Sequence, residues 1–514
     1  VQSHRLSALQ ADVYRHLPII QSVALHVPTR NVARLALLPF VTHLSLDDSV
    51  RKDDLFTVGS SLASSAWPAP YNIQGQGVTV AVLDSGFTPQ AAPFDLTGAR
   101  ILANVNFVPS ENTTVDLCGH GTHVAGIIAG DGTASTGSQC FQTYYGIAPK
   151  ASIVNVRVLD SAGASTVSTV ISGLQWVLSY KARYNIRVVN LSLGHPVGDH
   201  YYNDPLCQAV EQAYKAGLVV VCAAGNNGRV QNTAVAGQPN EGYGTNYGSI
   251  QSPANDPYVI TVGATKSVDG IRADDRIATY SSRGPTRLDL ILKPDLIAPG
   301  NKVISLYAKS SNLVAQYAAT NAVPGSEYST NPTASSTKYF MLSGTSMATP
   351  VVSGAVALLL QVNPKLTPDT VKARLMFSAD KWTDPNGVGD ANTYGAGYLN
   401  IPAALSIKVV PGLPVMSPSL SEDASGNVYI TMNNAIWGNN AIWGNTSGIT
   451  NLNAIWGNNA LWGNNAIWGN NAIWGNNALW GNNALWGNAV WTDSTIFAST
   501  VNTVDLSETA IDGE

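Results

Sequence analysis

Between residues 78 and 264 the sequence contains five short, nearly unbroken apolar runs: VTVAVLD at 78–84, SIVNVRVLD at 152–160, IRVVNLSLG at 186–194, LVVVCAAGN at 218–226 and YVITVGA at 258–264. Strands that are apolar at successive positions, rather than at alternate ones, must be covered on both faces. The stretches between them carry helical periodicity, as in TVSTVISGLQWVLSYKAR at 166–183 and DPLCQAVEQAYKA at 204–216. Strand and helix in alternation predict an α/β fold with a doubly wound, mainly parallel sheet. Function in such sheets gathers at the carboxyl ends of the strands, and several of these runs close on polar residues.

At 514 residues the chain is longer than one ordinary core supports. Five segments are expected: 1–54, a small α+β unit; 55–408, the doubly wound domain; 409–432, a Pro-containing linker plus a short strand (NVYITM); 433–491, a repeat region; and 492–514, an acidic tail. In the first, IIQSVALHV at 19–27 reads as a strand, Pro28 opens a helix, and VTHLSL at 41–46 reads as a second strand. The charged stretch DDSVRKDD at 47–54 reads as an exposed, cleavable joint. A net charge of -5 gives no electrostatic reason to expect nucleic acid or an anionic membrane as partner. No apolar run reaches the roughly eighteen residues of a membrane span, so none is expected.

Three polar residues close or open these elements. Asp84 ends the run VTVAVL and is followed by Ser85-Gly86, which places a carboxylate at the rim of the sheet; alone, it reads as a turn cap. His120 lies in GHGTHVAGIIAG, where small residues allow a helix to pack closely, and His123 in the same motif reads as a structural partner. Ser346 lies in SGTSMATPVVSGAVALLL at a helix start, with Pro350 in the first turn; alone, it reads as an N-cap. Together they have a chemistry. A serine becomes a nucleophile when a base takes its proton, and that base needs an orienting carboxylate.

The motifs VAVLDSG at 80–86, GHGTHVAG at 119–126 and SGTSMATP at 343–350 resemble those of the subtilase family, in the family's own order of Asp, His and Ser. The resemblance runs from about Ile73 to Asn400 and includes NLSLG at 190–194, AAGNNG at 223–228, SSRGPT at 281–286 and KPDLIAPG at 293–300. It implies a subtilisin-like serine endopeptidase with Asp84, His120 and Ser346 as catalytic triad and Asn226 in the oxyanion hole. It further implies that Gly163, Ala164 and Ser165 on one side, and Ser192, Leu193 and Gly194 on the other, bind an extended peptide, with Ala223, Ala224 and Gly225 lining the site. Backbone pairing of that kind gives affinity with broad side-chain specificity. By the same resemblance, residues 1–54 are an inhibitory propeptide remnant cleaved within 47–60, the alternative being a permanent amino-terminal subdomain, and the protein is secreted. Catalysis then needs no cofactor, and protein substrates and its own propeptide are the partners.

Calcium is left open. Residues 130–145 offer one carboxylate, Asp131, against the six to eight oxygens that calcium takes. Asp384, Asn386 and Asp390 form either a cation site or a solvated turn. Of the four cysteines, Cys118 and Cys140 both lie in Gly/Ser/Gln-rich sequence and are the favoured disulfide among three pairings. Cys222, in an apolar run, reads as a buried thiol. The repeat NNA(I/L)WG places Trp456, Trp462, Trp468, Trp474, Trp480 and Trp486 six residues apart, so that on a strand each would face the same side. It reads either as a self-associating or surface-binding module or as a spacer. A binding scaffold without catalysis would have lost a triad residue, and none is lost.

Overall fold

The computed structural model describes residues 2–44, 49–52, 62–67, 72–89, 94–267, 272–331, 337–382, 390–408, 414–422 and 428–431. The repeat region 433–491, the tail 492–514, and Asp384 and Asn386 lie outside the described residues.

The chain opens with α1 (Gln2–Ala8), the antiparallel pair β1 (Asp12–Leu17) and β2 (Ser22–His26), and α2 (Val32–Ala36). Pro18 lacks an N–H and starts a short 3-10 turn, so the expected strand at 19–27 begins only at Ser22. Residues 41–44 are not a strand, contrary to the expectation for 41–46; the alternating pattern has no hydrogen-bonding neighbour there, since β1 and β2 form a sheet of two. The next strand is β3 (Ser49–Lys52), inside the stretch expected to be an exposed joint.

The larger unit follows the expected alternation. Its elements in order are β4 (Thr79–Asp84), β5 (Ile101–Asn106), α3 (His120–Ala129), β6 (Ser152–Arg157), β7 (Ala164–Thr166), α4 (Val167–Tyr180), β8 (Ile186–Leu191), β9 (Leu193–Gly194), α5 (Pro205–Lys215) and β10 (Val219–Ala223). Then come β11 (Ile260–Lys266), β12 (Arg276–Ile277), β13 (Leu296–Pro299), β14 (Val303–Leu306), α6 (Asn312–Asn321), β15 (Tyr339–Leu342), α7 (Thr345–Val362) and α8 (Pro368–Ser378). The sheet runs β12-β11-β10-β8-β4-β6-β5, with β13 also on β11, and every pairing except β11 with β12 is parallel. β4 is first in the chain and central in space: β6 and β5 lie on one side of it, β8 and β10 on the other. The winding therefore reverses at β4, and its carboxyl end is a topological switch point.

Successive residues of a strand face opposite ways, and here both faces are cores. Val80 and Val82 of β4 join one cluster with residues of α3 and α7, while Ala81 and Leu83 join a second with residues of α4 and α5. The same split recurs in β10, with Val219 and Val221 against Val220 and Cys222. α7 has the length and hydropathy of a membrane-crossing helix, but 89% of it is buried inside the protein. α5 starts on Pro205, with Asp204 Oδ1 accepting from the amides of Leu206 (2.8 Å) and Cys207 (3.2 Å).

Both flanking segments pack on this unit. The amino-terminal segment packs on the larger unit, with Leu17 and Ala24 in the α4/α5 cluster, Arg15 donating to Ser172 Oγ (3.2 Å) and His43 against Asp199. At the other end, residues 414–422, expected as linker, lie against the sheet and lead into the antiparallel pair β16 (Ser419–Glu422) and β17 (Val428–Thr431). Ser417 N donates to Pro257 O (2.9 Å), Leu292 N to Pro418 O (2.8 Å) and Leu420 N to Leu290 O (2.8 Å). Ser417 Oγ meets Lys372 Nζ (2.8 Å) and Asp295 Oδ1 (2.5 Å), in a fully buried cluster with Lys293. Buried charges require such partners, so this strap completes the core at the amino ends of β11 and β13.

Candidate active site

Asp84 is the last residue of β4, and His120 is the first of α3; both side chains are fully buried. His120 Nδ1 lies 2.7 Å from Asp84 Oδ1, which also accepts from the Ser85 amide at 2.7 Å. This contact assigns the proton on Nδ1 and directs Nε2 away from the carboxylate. Gly119, at φ +104°, makes the entry to α3; a side chain there would meet Ser311. Gly121 allows the helix to sit on the turn after Asp84, since its Cβ would meet Gly86 O at 2.4 Å.

Asp116, which the sequence reading passed over, ties these two pieces together. Its Oδ1 accepts from Ser85 Oγ (2.8 Å) and the Gly119 amide (2.6 Å), and its Oδ2 from the Thr122 amide (2.8 Å). Ser85 Oγ in turn accepts from the Gly121 amide (2.9 Å). Burial pushes the Asp116 carboxyl above the ordinary range, although the Thr122 and Gly119 amides pull it back. A carboxylate four residues before the histidine, followed by Gly119, was the available signal. His123 is structural as expected: its Nε2 faces the carbonyls of Val303 (2.9 Å) and Phe340 (3.0 Å). Burial, then the neighbouring His120, push its pKa down to about 3, so it stays neutral.

Ser346 is the second residue of α7. Its Oγ donates to the carbonyl of Ser192 (3.2 Å), and Ser192 Oγ donates to the carbonyl of Ser346 (2.8 Å). Ser192 follows β8, which pairs with β4, the strand that ends on Asp84. Because α7 starts at Thr345, Pro350 is its sixth residue and not in the first turn as expected, and its missing N–H leaves the Ser346 carbonyl without its usual i+4 donor. The Ser192 hydroxyl supplies one instead. Asn190, on β8, donates from Nδ2 to Ser192 Oγ (3.0 Å) and accepts at Oδ1 from Ser353 Oγ of α7 (2.8 Å).

Asn226 lies beyond the end of β10. Its Oδ1 accepts from the Thr345 amide (3.0 Å) and hydroxyl (3.1 Å), which fixes the orientation of its amide beside the start of α7. Ala224 and Gly225 have their carbonyls engaged by the amides of Gln251 (3.1 Å) and Ser282 (2.9 Å). Ala223 is the last residue of β10 and pairs with Val262.

The expected peptide-binding strands do pair with a strand, and it comes from the same chain. β3 lies antiparallel between β7 and β9, with Val50 opposite Ser165, Arg51 opposite Ala164 and Gly194, and Lys52 opposite Leu193. Gly163, at φ +73°, forms the turn before β7, its amide bonded to Asp160 O (3.0 Å). A profile of the subtilase family matches residues 75–397. The chain belongs to the subtilase family.

Among relatives of this subtilase, the serine protease AprX of Bacillus subtilis strain 168 is 39% identical over 334 residues, 64% of this chain and 66% of that protein. Subtilisin DY of Bacillus licheniformis is 33% identical over 332 residues, 64% of this chain and 92% of the other. Subtilisin E of Bacillus subtilis strain 168 is 30% identical over 402 residues, 78% and 84% of the two. The reaction class is accordingly that of a serine endopeptidase.

Two calcium candidates and the disulfide remain. Asp131 pairs with Arg100 (2.7 Å), and Asp390 caps a short helix by accepting from the Asn392 amide (2.9 Å), so both carboxylates have protein partners. Among the described residues no group of three or more His, Cys, Asp and Glu side chains is placed to hold a metal. The expected Cys118–Cys140 disulfide is not formed: all four cysteines are thiols. Cys118 is buried in the core at the foot of α3, whereas the backbone of Cys140 pairs with Ser329 on another loop. Cys222 is a buried thiol, as expected, and burial pushes its pKa well up.

Proposed function

We propose that this subtilase hydrolyses internal peptide bonds of extended polypeptides through an acyl-enzyme, with Ser346 as nucleophile, His120 as general base and Asp84 as its orienting carboxylate. The observation that carries the reading is β3: an extended strand fits antiparallel between β7 and β9, and β9 follows Ser192, whose carbonyl accepts from Ser346 Oγ. A substrate in that position forms backbone hydrogen bonds on both sides, which suits broad specificity.

His120 Nε2 takes the Ser346 hydroxyl proton as Oγ attacks the carbonyl carbon. The tetrahedral oxygen is held by the Asn226 side-chain amide and the Ser346 N–H at the positive end of α7. Collapse breaks the C–N bond, and the same proton passes to the leaving amine. Water, deprotonated by His120, then hydrolyses the ester and restores Ser346. No cofactor enters this sequence, and a structural role for calcium is left open.

The amino-terminal unit acts in this reading as an inhibitory propeptide, with β3 as its cleft-filling strand and 47–60 as the region that the enzyme itself cuts. An extracellular location accords with the subtilisin relatives. The tryptophan repeat would serve as a surface-binding or self-associating tail. Intact-mass analysis during reaction with a fluorophosphonate probe tests the core of the proposal. One adduct together with loss of about 50–60 amino-terminal residues, and neither in Ser346→Ala, is expected. A wild type that takes no adduct even after separate removal of that segment would overturn it.

A further inference from the structure

Arg157 is the one charged residue of β6 and is fully buried, which is rare for arginine unless every donor is used. It stands in register with Asp84 across the β4–β6 pairing. Its Nε donates to the carbonyl of Ser85 (2.9 Å), the peptide unit immediately after Asp84. Its Nη1 donates to the carbonyl of Thr113 (2.9 Å), in the loop that leads to Asp116 and His120. Its Nη2 pairs with the carboxylate of Glu111. The other oxygen of that carboxylate accepts from the amide of Ser161 (3.1 Å), at the head of the turn that delivers β7. Three segments distant in sequence therefore meet on one ion pair: the Asp84 turn, the loop before His120, and the approach to a cleft strand. Burial pushes the Glu111 carboxyl up, but the Arg157 and Ser161 hydrogen bonds outweigh it and hold the group below its ordinary value.

We propose that Glu111 and Arg157 are a positioning pair that sets β7 relative to the Asp84–His120 pair, so that pairing of a substrate strand with β7 is coupled to the alignment of the catalytic groups. The inference rests on the reading of β7 as a substrate-pairing strand. Neither residue touches substrate; each acts through the backbone it holds. Glutamine in place of Glu111 keeps the shape but weakens both the charge pairing and the hold on Ser161. Lysine in place of Arg157 cannot reach Ser85, Thr113 and Glu111 at once.

The test compares the matured wild type with Glu111→Gln on two substrates: a peptide long enough to pair with β7, and a small activated ester that does not reach it. The long peptide is expected to show a KM raised about fivefold or more, with kcat for the ester within about twofold of wild type. Arg157→Lys, which also releases Ser85 and Thr113, is expected to lower kcat for both substrates. Because Arg157→Lys can fail to fold, the decision rests on the half-buried Glu111. An active, probe-labelled Glu111→Gln enzyme whose KM values for both substrates match wild type, or shift equally, overturns the proposal. Failure of the underlying reading shows differently, as a wild type that takes no fluorophosphonate label.

Discussion

Ser346 and Ser192 hold each other by two hydrogen bonds of opposite direction, hydroxyl to carbonyl each way, at 3.2 and 2.8 Å. The second exists because Pro350 cannot donate to the Ser346 carbonyl. Pro350→Ala restores an N–H that competes with the Ser192 hydroxyl for that carbonyl. The expected result is a protein of equal or higher thermal stability, since the helix regains a bond, with kcat lowered about tenfold (~1.4 kcal/mol). Ser192→Ala should lose activity similarly but also stability, by about 1–3 kcal/mol, because the hydrogen bond from its hydroxyl to the buried Ser346 carbonyl is lost. Thermal melts alongside steady-state kinetics separate the two.

Asn226 is oriented through its oxygen by Thr345, so its amide acts in the proposed mechanism only once negative charge has developed on the substrate oxygen. Asn226→Ala should therefore lower kcat by about 10²–10³ with little change in KM, the magnitude known for the corresponding amide in a subtilisin. Equal losses in binding and turnover would argue against the assignment.

Asp95 gives a prediction about pH. It is almost wholly buried, accepts from Tyr339 Oη (2.7 Å) and the Ala134 amide (2.6 Å), and burial raises its pKa to about 6. The folded state thus binds this proton more tightly than the unfolded chain does. Its contribution is fully present below about pH 4 and is lost as pH rises through 6, a change of about 3 kcal/mol. Asp95→Asn should remove that slope. Denaturant melts of both proteins between pH 4 and 7 measure it, and parallel curves would contradict the prediction.

The strap at 414–420 predicts where the chain can be shortened. Ending it after residue 431 keeps Ser417 on Lys372 and Asp295 and should leave peptidase activity intact. Ending it after 408 strips a partner from buried charges and should lower the melting temperature by about 5–10 °C. Differential scanning calorimetry of the two truncations is the check.

The parallel sheet and the approach of His120 to Asp84 were legible because both are written locally: in runs of apolar residues, and in motifs within a few positions of those two residues. What the sequence hid was long-range. Ser417 looks like a linker residue until Lys372 and Asp295, 45 and 122 positions away, are seen around it. Arg157 carried no local signal of its role, since its three partners lie 44 to 72 residues distant. The disulfide was misjudged because loop composition carries no information on whether two sulfurs approach each other. Asp116 stood within four residues of His120, yet its role depends on Ser85, 31 positions back.

The strap also fixes a mechanical direction. It grips the sheet at the amino ends of β11 and β13, while the cleft opens at the carboxyl ends, about 15–20 Å away along the strands. A pull on anything attached beyond Thr431 is thus delivered to the base of the sheet, in line with its strands, and the cleft points away from the tether.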